Sequence, residues 1–174
     1  MIQKSGWLLV SLSLAAVLGC GYRMVQPFVH WPEGVRKVYV ENIRNRTNEP
    51  GLEATLTEAF IQEFWGWQDL EIVNRAEAEA VFSGEVTQYT ADRPLSFDQD
   101  QNIREYEISL HVDIQLTEVA TGRILWQEED RIARESYQYF QDDLSRTRAE
   151  ERRAQVKAAQ DLARELLDRG FMGH

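Results

Sequence analysis

From Tyr106 to Leu116 every even position is apolar (Tyr106, Ile108, Leu110, Val112, Ile114 and Leu116), while Glu105, Glu107, Ser109, His111, Asp113 and Gln115 take the odd ones. Side chains on a strand alternate between its two faces. The pattern therefore calls for a sheet with one dry face and one wet face, and a dry face must be covered by another layer. At about 3.3 Å per residue, a dozen residues run to roughly 40 Å, longer than most strands. The strand is expected to bend, or to project beyond the helices that cover it.

Its neighbours fit the same sheet. Thr121-Gly122 sits between two apolar runs and reads as a hairpin turn. Ile124-Leu125-Trp126 starts a return strand that turns polar by Glu128-Glu129-Asp130, as an edge protected from aggregation does. Upstream, residues 80–90 alternate loosely, with Phe82, Gly84 and Val86 on one face; Gly84 marks either a bulge or a close backbone approach. Arg93 to Asn102 is polar, contains Pro94, offers Leu95 and Phe97 as exposed residues, and reads as a loop or hairpin tip. Tyr137, Tyr139 and Phe140 lead into the connection to the last helix.

Two helices supply the cover. Leu52, Leu56, Phe60 and Phe64 recur every four residues, with Ala59 and Ile61 beside them, which is one apolar stripe. Pro50 suits the first turn of this helix, Glu49 and Glu53 suit the positive end of its dipole, and Gly66 suits its C-cap. The last helix is expected over residues 145–169, stopped by Gly170, with Ala149, Val156, Ala159, Ala163, Leu166 and Leu167 on one side. Arg146, Arg153, Lys157 and Arg164 share a line well away from that stripe. This line reads as a solvated face, with Glu150 and Asp168 placed to pair with Arg146 and Arg164; lipid phosphates are its other possible partner.

Before the first helix, Val35 to Ile43 has strand composition, and the polar run Arg44-Asn45-Arg46-Thr47-Asn48 reads as a surface connection. Leu70 to Val73 reads as a short strand, so strand, helix and strand form a parallel crossover. Residues 74–80 suit a short helical turn. The expected fold is α+β, a two-layer sandwich. Its mixed sheet has four to five strands, an opening β-α-β unit followed by an antiparallel meander, with two main helices packed on one face.

The first residues are of another kind. Trp7 to Leu18 is apolar, too short to span a bilayer and suited to a signal h-region. It ends Val17-Leu18-Gly19-Cys20, which resembles a bacterial lipobox, and Cys20 is the chain's one cysteine. The division that follows is a signal peptide over 1–19, a lipidated tether over 20–34 and a single domain over 35–174. Acyl chains on Cys20 would anchor the protein, at roughly 0.8 kcal/mol per buried methylene. By resemblance to proteobacterial lipoproteins, Gly21 after the cysteine favours the outer membrane.

Charge and motifs narrow the function. A net charge of −10 argues against nucleic acid, which requires a basic surface. It is uneven: residues 144–174 carry +2 and residues 20–143 carry −13. His30, His111 and His174 are isolated, one cysteine allows neither an internal disulfide nor a cysteine zinc site, and no phosphate loop or hydrolase motif occurs. Neither catalysis nor a cofactor is expected.

The run V-Y-V-E-N-I-R-N-R-T-N-E-P-G-L-E-A-T-L-T-E-A-F-I-Q-E-F, from Val38 to Phe64, together with Cys20-Gly21-Tyr22, resembles the opening of the lipopolysaccharide-assembly lipoprotein family, LptE. The resemblance at residue level covers about 20–65. It implies an outer-membrane lipoprotein on the periplasmic side that plugs the lumen of a β-barrel translocon, LptD, supports its assembly and receives lipopolysaccharide. Lipid A phosphates would call for Arg or Lys, and Arg93, Arg104 and Arg123 are the basic residues nearest loop or hairpin ends. A second reading, also a lipoprotein, is an activator of a cell-wall synthase or a component of a secretion assembly, where similar openings occur.

Overall fold

The computed structural model describes Pro32 and residues 34–172. The leader, Cys20, Gly21, His30 and His174 lie outside the described residues. Eight elements follow in order: β1 (Lys37–Val40), β2 (Arg44–Asn45), α1 (Leu52–Trp65), β3 (Glu71–Ile72), β4 (Ala80–Phe97), β5 (Ile103–Glu118), β6 (Ile124–Gln138) and α2 (Leu144–Met172). They form the expected α+β fold, with six strands where four to five were anticipated. The extra one is β2, two residues of the polar run that pair with Glu85 and Val86 of β4.

The sheet order is β3-β1-β4-β5-β6, with β2 beside β4. β1 pairs in parallel with β3 and with β4, so β1, α1 and β3 form the expected crossover unit. β4, β5 and β6 are an antiparallel meander. Ile108, Leu110, Val112, Ile114 and Leu116 are all buried on one face of β5, and Ala80, Phe82 and Val86 of β4 lie beside them. The alternation seen in the sequence is therefore the inner face of the sheet.

Helix α1 buries Leu52, Leu56, Ala59, Phe60 and Phe64. Phe60 and Phe64 stand 4.7 and 5.2 Å from Phe82, measured between ring centroids, and Phe82 in turn stacks at 6.4 Å on Trp126 of β6. This column joins helix, central strand and edge strand. Each fully buried phenylalanine contributes roughly 1.5–3 kcal/mol from burial. Gly51, at φ 92°, is the N-cap, so Pro50 precedes the helix instead of opening it. Glu53 closes this end: its carboxylate accepts from the Gly51 N–H and from Asn45 Nδ2 at 2.9 Å. Gly66 is the C-cap in an ordinary right-handed conformation.

Helix α2 departs from expectation in three ways. It runs through Gly170 to Met172, because Gly170 serves packing: a Cβ there would meet the Trp126 indole at 3.0 Å. It starts one residue early at Leu144, where Asp143 Oδ1 accepts the Arg146 N–H at 2.9 Å. Its buried stripe is Ala154, Ala158, Leu162 and Leu166, with Ala159, Ala163 and Leu167 alongside. Ala149 and Val156 are on the other side, and Val156 is 44% exposed. A helix rich in alanine offers two plausible apolar lines, and the leucines decide which is buried.

Two smaller expectations also change. Residues 74–77 form a turn, in which Glu77 N–H donates to the Asn74 carbonyl at 3.1 Å, and no helix is assigned there. The run from Arg93 is strand as far as Phe97, and only residues 98–102 form the connection. Pro94 is tolerated because this part of β4 has β5 on one side and no strand on the other.

Candidate functional site: the projecting hairpin

The long strand both bends and projects. β4 and β5 shift register after Val86, Thr90, Pro94 and Ser96, and each irregularity bends and twists the pair. Burial on β5 begins at Ile108 and on β4 fades after Ala91, so residues from 92 to about 105 extend past the core. Leu95 and Phe97 on this extension are 43% and 59% exposed.

The tip is tied by Asp98. Its Oδ1 accepts the N–H groups of Asp100 and Asn102, each at 2.9 Å, and its backbone N–H donates to the Asn102 carbonyl at 2.8 Å. These donors, the Asn102 N–H foremost and Arg104 least, hold the Asp98 carboxyl below its ordinary range. An Asp at the first position accepts backbone N–H groups two and four residues on, a signal that the reading of residues 93–102 as one polar stretch passed over. At the root, Tyr137 donates to the Ala91 carbonyl at 2.6 Å, and Tyr106 packs between Tyr137 and Tyr139 at 5.9 and 5.2 Å.

The three basic positions picked from the sequence separate. Arg93 and Arg104 are both on the hairpin, paired with Glu107 at 2.7 Å and with Asp98 at 3.3 Å. Arg123 pairs with Glu118 at 3.8 Å on the β5–β6 turn, where Gly122 adopts φ 71°. That turn lies at the other end of β5, sixteen residues away, or roughly 50 Å at 3.3 Å per residue. All three guanidiniums are mostly exposed, so their pairings are weak and open to competition from a stronger anion.

The polar turn after β1 closes on itself. Asn45 Oδ1 accepts from the Thr47 N–H and hydroxyl at 2.9 and 2.8 Å, and Asn45 Nδ2 donates to the Glu49 carbonyl at 2.7 Å. Arg44 and Arg46 both turn to Glu85, at 3.6 and 2.6 Å. They rim a depression of about 200 Å³ on the open face of the sheet, which Asp113, Gln127 and Glu129 also line. The turn is thus a structural starter whose polar groups serve one another.

His111 also lies on this open face. It is not simply exposed: Nδ1 is 2.7 Å from Asp130, leaving the side chain 21% accessible. Asp130 takes φ 48° where β6 bulges, and its N–H donates to Asp113 Oδ1 at 2.8 Å. Among the described residues no group of three or more His, Cys, Asp or Glu is placed to hold a metal, and no helix is long and apolar enough to cross a membrane.

Three solved structures share the fold. A hypothetical protein from Chlamydia trachomatis matches at 13% identity and TM-score 0.52, over 77% of this chain and 94% of its own. A Xanthomonas campestris protein matches at 10% identity and TM-score 0.51, over 80% and 87%. A Caulobacter crescentus lipoprotein matches at 15% identity and TM-score 0.50, over 72% and 85%. No curated protein sequence matches the chain. The family model described as lipopolysaccharide-assembly, LptE, matches residues 35–169. The chain therefore belongs to the lipopolysaccharide-assembly family LptE.

Proposed function

We propose that this chain is an outer-membrane lipoprotein, anchored through Cys20 on the periplasmic side, that plugs a β-barrel translocon of the LptD type and positions lipopolysaccharide for assembly. The observation that carries the reading is the family match over residues 35–169. The hairpin that projects past the core supports it, by offering a place where a plug can meet cargo. The work is binding and positioning, with no bond made or broken.

On this reading the hairpin tip meets the lipid. Leu95 and Phe97 present exposed apolar surface, and Arg93 and Arg104 stand nearby to receive phosphate oxygens in charge-assisted hydrogen bonds. Arg123, at the far end of the sheet, takes no part in the same contact. The net charge of −13 over residues 20–143 suits a polar barrel lumen.

Co-purification tests the reading. Tagged protein should bring down a large outer-membrane barrel, and depletion should reduce surface lipopolysaccharide. If neither occurs, the reading fails, and a role with a cell-wall synthase or secretion assembly becomes the better one. Arg93→Glu with Arg104→Glu should weaken lipopolysaccharide binding in vitro, while Arg123→Glu should leave it unchanged. Equal loss from both variants would remove the hairpin from the mechanism.

A further inference from the structure

Four of the chain's six tyrosines, Tyr89, Tyr106, Tyr137 and Tyr139, gather where the hairpin leaves the core. At that point β4 takes three steps, from Thr90 to Arg93, against two on β5, from Ser109 to Glu107, and neither Ala91 nor Asp92 has a partner in the register. An extra residue bends its strand and leaves the ladder locally open. The direction of everything beyond the bulge therefore depends on what holds the bulge.

Two phenols hold it, each against a different element. Tyr137 stands opposite Tyr106 of β5, so its hydroxyl reaches across that strand to donate to the Ala91 carbonyl at 2.6 Å. Tyr89, two residues before Ala91, donates to Glu151 Oε1 of α2 at 2.7 Å and accepts from the Gln155 amide at 2.9 Å. Gln155 is buried, and the same amide reaches Glu49 of the starter turn at 3.2 Å. The α2 side is a firm mount. The Thr147 hydroxyl oxygen accepts the Phe140 N–H at 2.9 Å, and Arg146, instead of pairing with Glu150, sets its guanidinium 3.9 Å from the centre of the Phe140 ring. Glu150 pairs with Arg153 at 2.6 Å, and Arg164 turns to Asp161 and Glu63 in place of Asp168.

We infer that Tyr89 and Tyr137 are positioning residues that fix the angle at which the hairpin leaves the sheet, and so where its tip meets cargo. This deepens the reading of the hairpin as the cargo contact and rests on it. Burial of the rings alone would leave the angle loose, because hydrophobic attraction has no direction. A hydrogen bond weakens steeply once its donor swings off line, and a buried polar group left unpaired is costly. A swing at the bulge strains the Tyr137 bond directly, since Ala91 lies within the bulge. Tyr89 ties the strand just before the bulge to α2, which gives the hairpin a fixed base. Arg93, Leu95, Phe97 and Arg104 then face cargo as a preorganised group.

Spin-label distance measurement on the full chain tests this. Nitroxides on ketone amino acids at the exposed positions Gln99 and Gln160 report the tip against α2 and leave Cys20 untouched. The parent should give one narrow distance. Tyr89→Phe with Tyr137→Phe keeps both rings and removes their hydrogen bonds to Glu151, Gln155 and Ala91. Each bond lost should raise the population at other distances about twofold to tenfold. Tyr137→Phe alone serves if the double variant fails to fold. Glu151→Gln, which keeps an acceptor for Tyr89, should stay narrow. The double variant should retain lipopolysaccharide binding in vitro, because the hairpin's own groups are intact, yet lower surface lipopolysaccharide in cells. A distribution as narrow as the parent's, or unchanged surface lipopolysaccharide behind a broadened one, overturns the inference. Equal loss of binding and delivery overturns it as well, by making the tyrosines merely structural. If the distribution broadens while Arg93→Glu with Arg104→Glu binds lipopolysaccharide normally, the cargo reading fails and the tyrosines still set the angle.

Discussion

Gly84→Ala is the sharpest test of how the sheet is built. Gly84 pairs with Ile114 in the unbroken part of the β4–β5 ladder. A Cβ there would lie 2.8 Å from Ile43 Cδ1, 2.9 Å from the Asp113 carbonyl oxygen and 3.1 Å from Ile114 Cγ2. Ile43 Cδ1 is the end of a flexible side chain and can shift, but the carbonyl belongs to β5, which is paired on both sides, and cannot. Overpacking of this kind costs about 1–3 kcal/mol. Alanine also stiffens the unfolded chain, which returns about 0.4–1 kcal/mol. The expected net loss is thus on the order of 1–2 kcal/mol, or roughly fivefold to thirtyfold in the folding equilibrium. Urea denaturation followed by tryptophan fluorescence measures it, with an unchanged slope showing that both end states are preserved. Adding Ile43→Val should recover only part of the loss, because it removes one of three close contacts. A Gly84→Ala protein as stable as the parent, or one fully rescued by Ile43→Val, would refute the claim that the Asp113 backbone sets the limit.

Phe82→Ala, at the centre of the column from Phe60 and Phe64 to Trp126, should cost about 3–5 kcal/mol. A loss below about 1 kcal/mol in the same assay would mean that the column is not a shared core. Burial pushes the Tyr137 phenol up to about 12 and also raises Tyr89. Unfolded tyrosines ionise near pH 10, so this stability is fully present below about pH 10 and is lost as pH rises through about 12. Denaturation midpoints should fall across that window, and a folded Tyr137 whose phenolate absorbance appears near pH 10 would contradict the assignment. Cys20→Ala should move the protein from the outer-membrane fraction to a soluble or unprocessed form, whereas unchanged fractionation would exclude lipid anchoring at Cys20.

Where one side of an element is apolar and the other charged, the chain could be read directly. The even positions of β5 from Ile108 to Leu116 and the Leu52-Leu56-Phe60-Phe64 stripe of α1 are of this kind and are buried as read, while Tyr106 is only partly covered. Where apolar character is spread around a helix, the reading fails: Ala149 and Val156 looked like core and instead form part of the outer stripe of α2. Glycine was the other ambiguity. Gly170 reads equally as a helix stop or as space for a neighbour, and only the Trp126 indole, 44 residues earlier, decides for space. The hairpin tip was visible as polar sequence with Leu95 and Phe97 in it. That strand pairing continues to Phe97 was not, because the partner of those residues lies across a turn whose length the sequence leaves open. The ion pairs of α2 were legible only as a menu, since several carboxylates lie within reach of each cation and tertiary neighbours such as Glu135 and Glu63 make the choice.

The length of the β4–β5 ladder sets a scale. Sixteen residues of β5 reach roughly 50 Å, whereas a bilayer with its headgroups measures about 40–45 Å. On the plug reading proposed above, with the entry at Val35 toward one leaflet, a ladder of this length would bring its hairpin level with the other. The distance is already built into the strand, and the register shifts along it set the direction in which the far end leans.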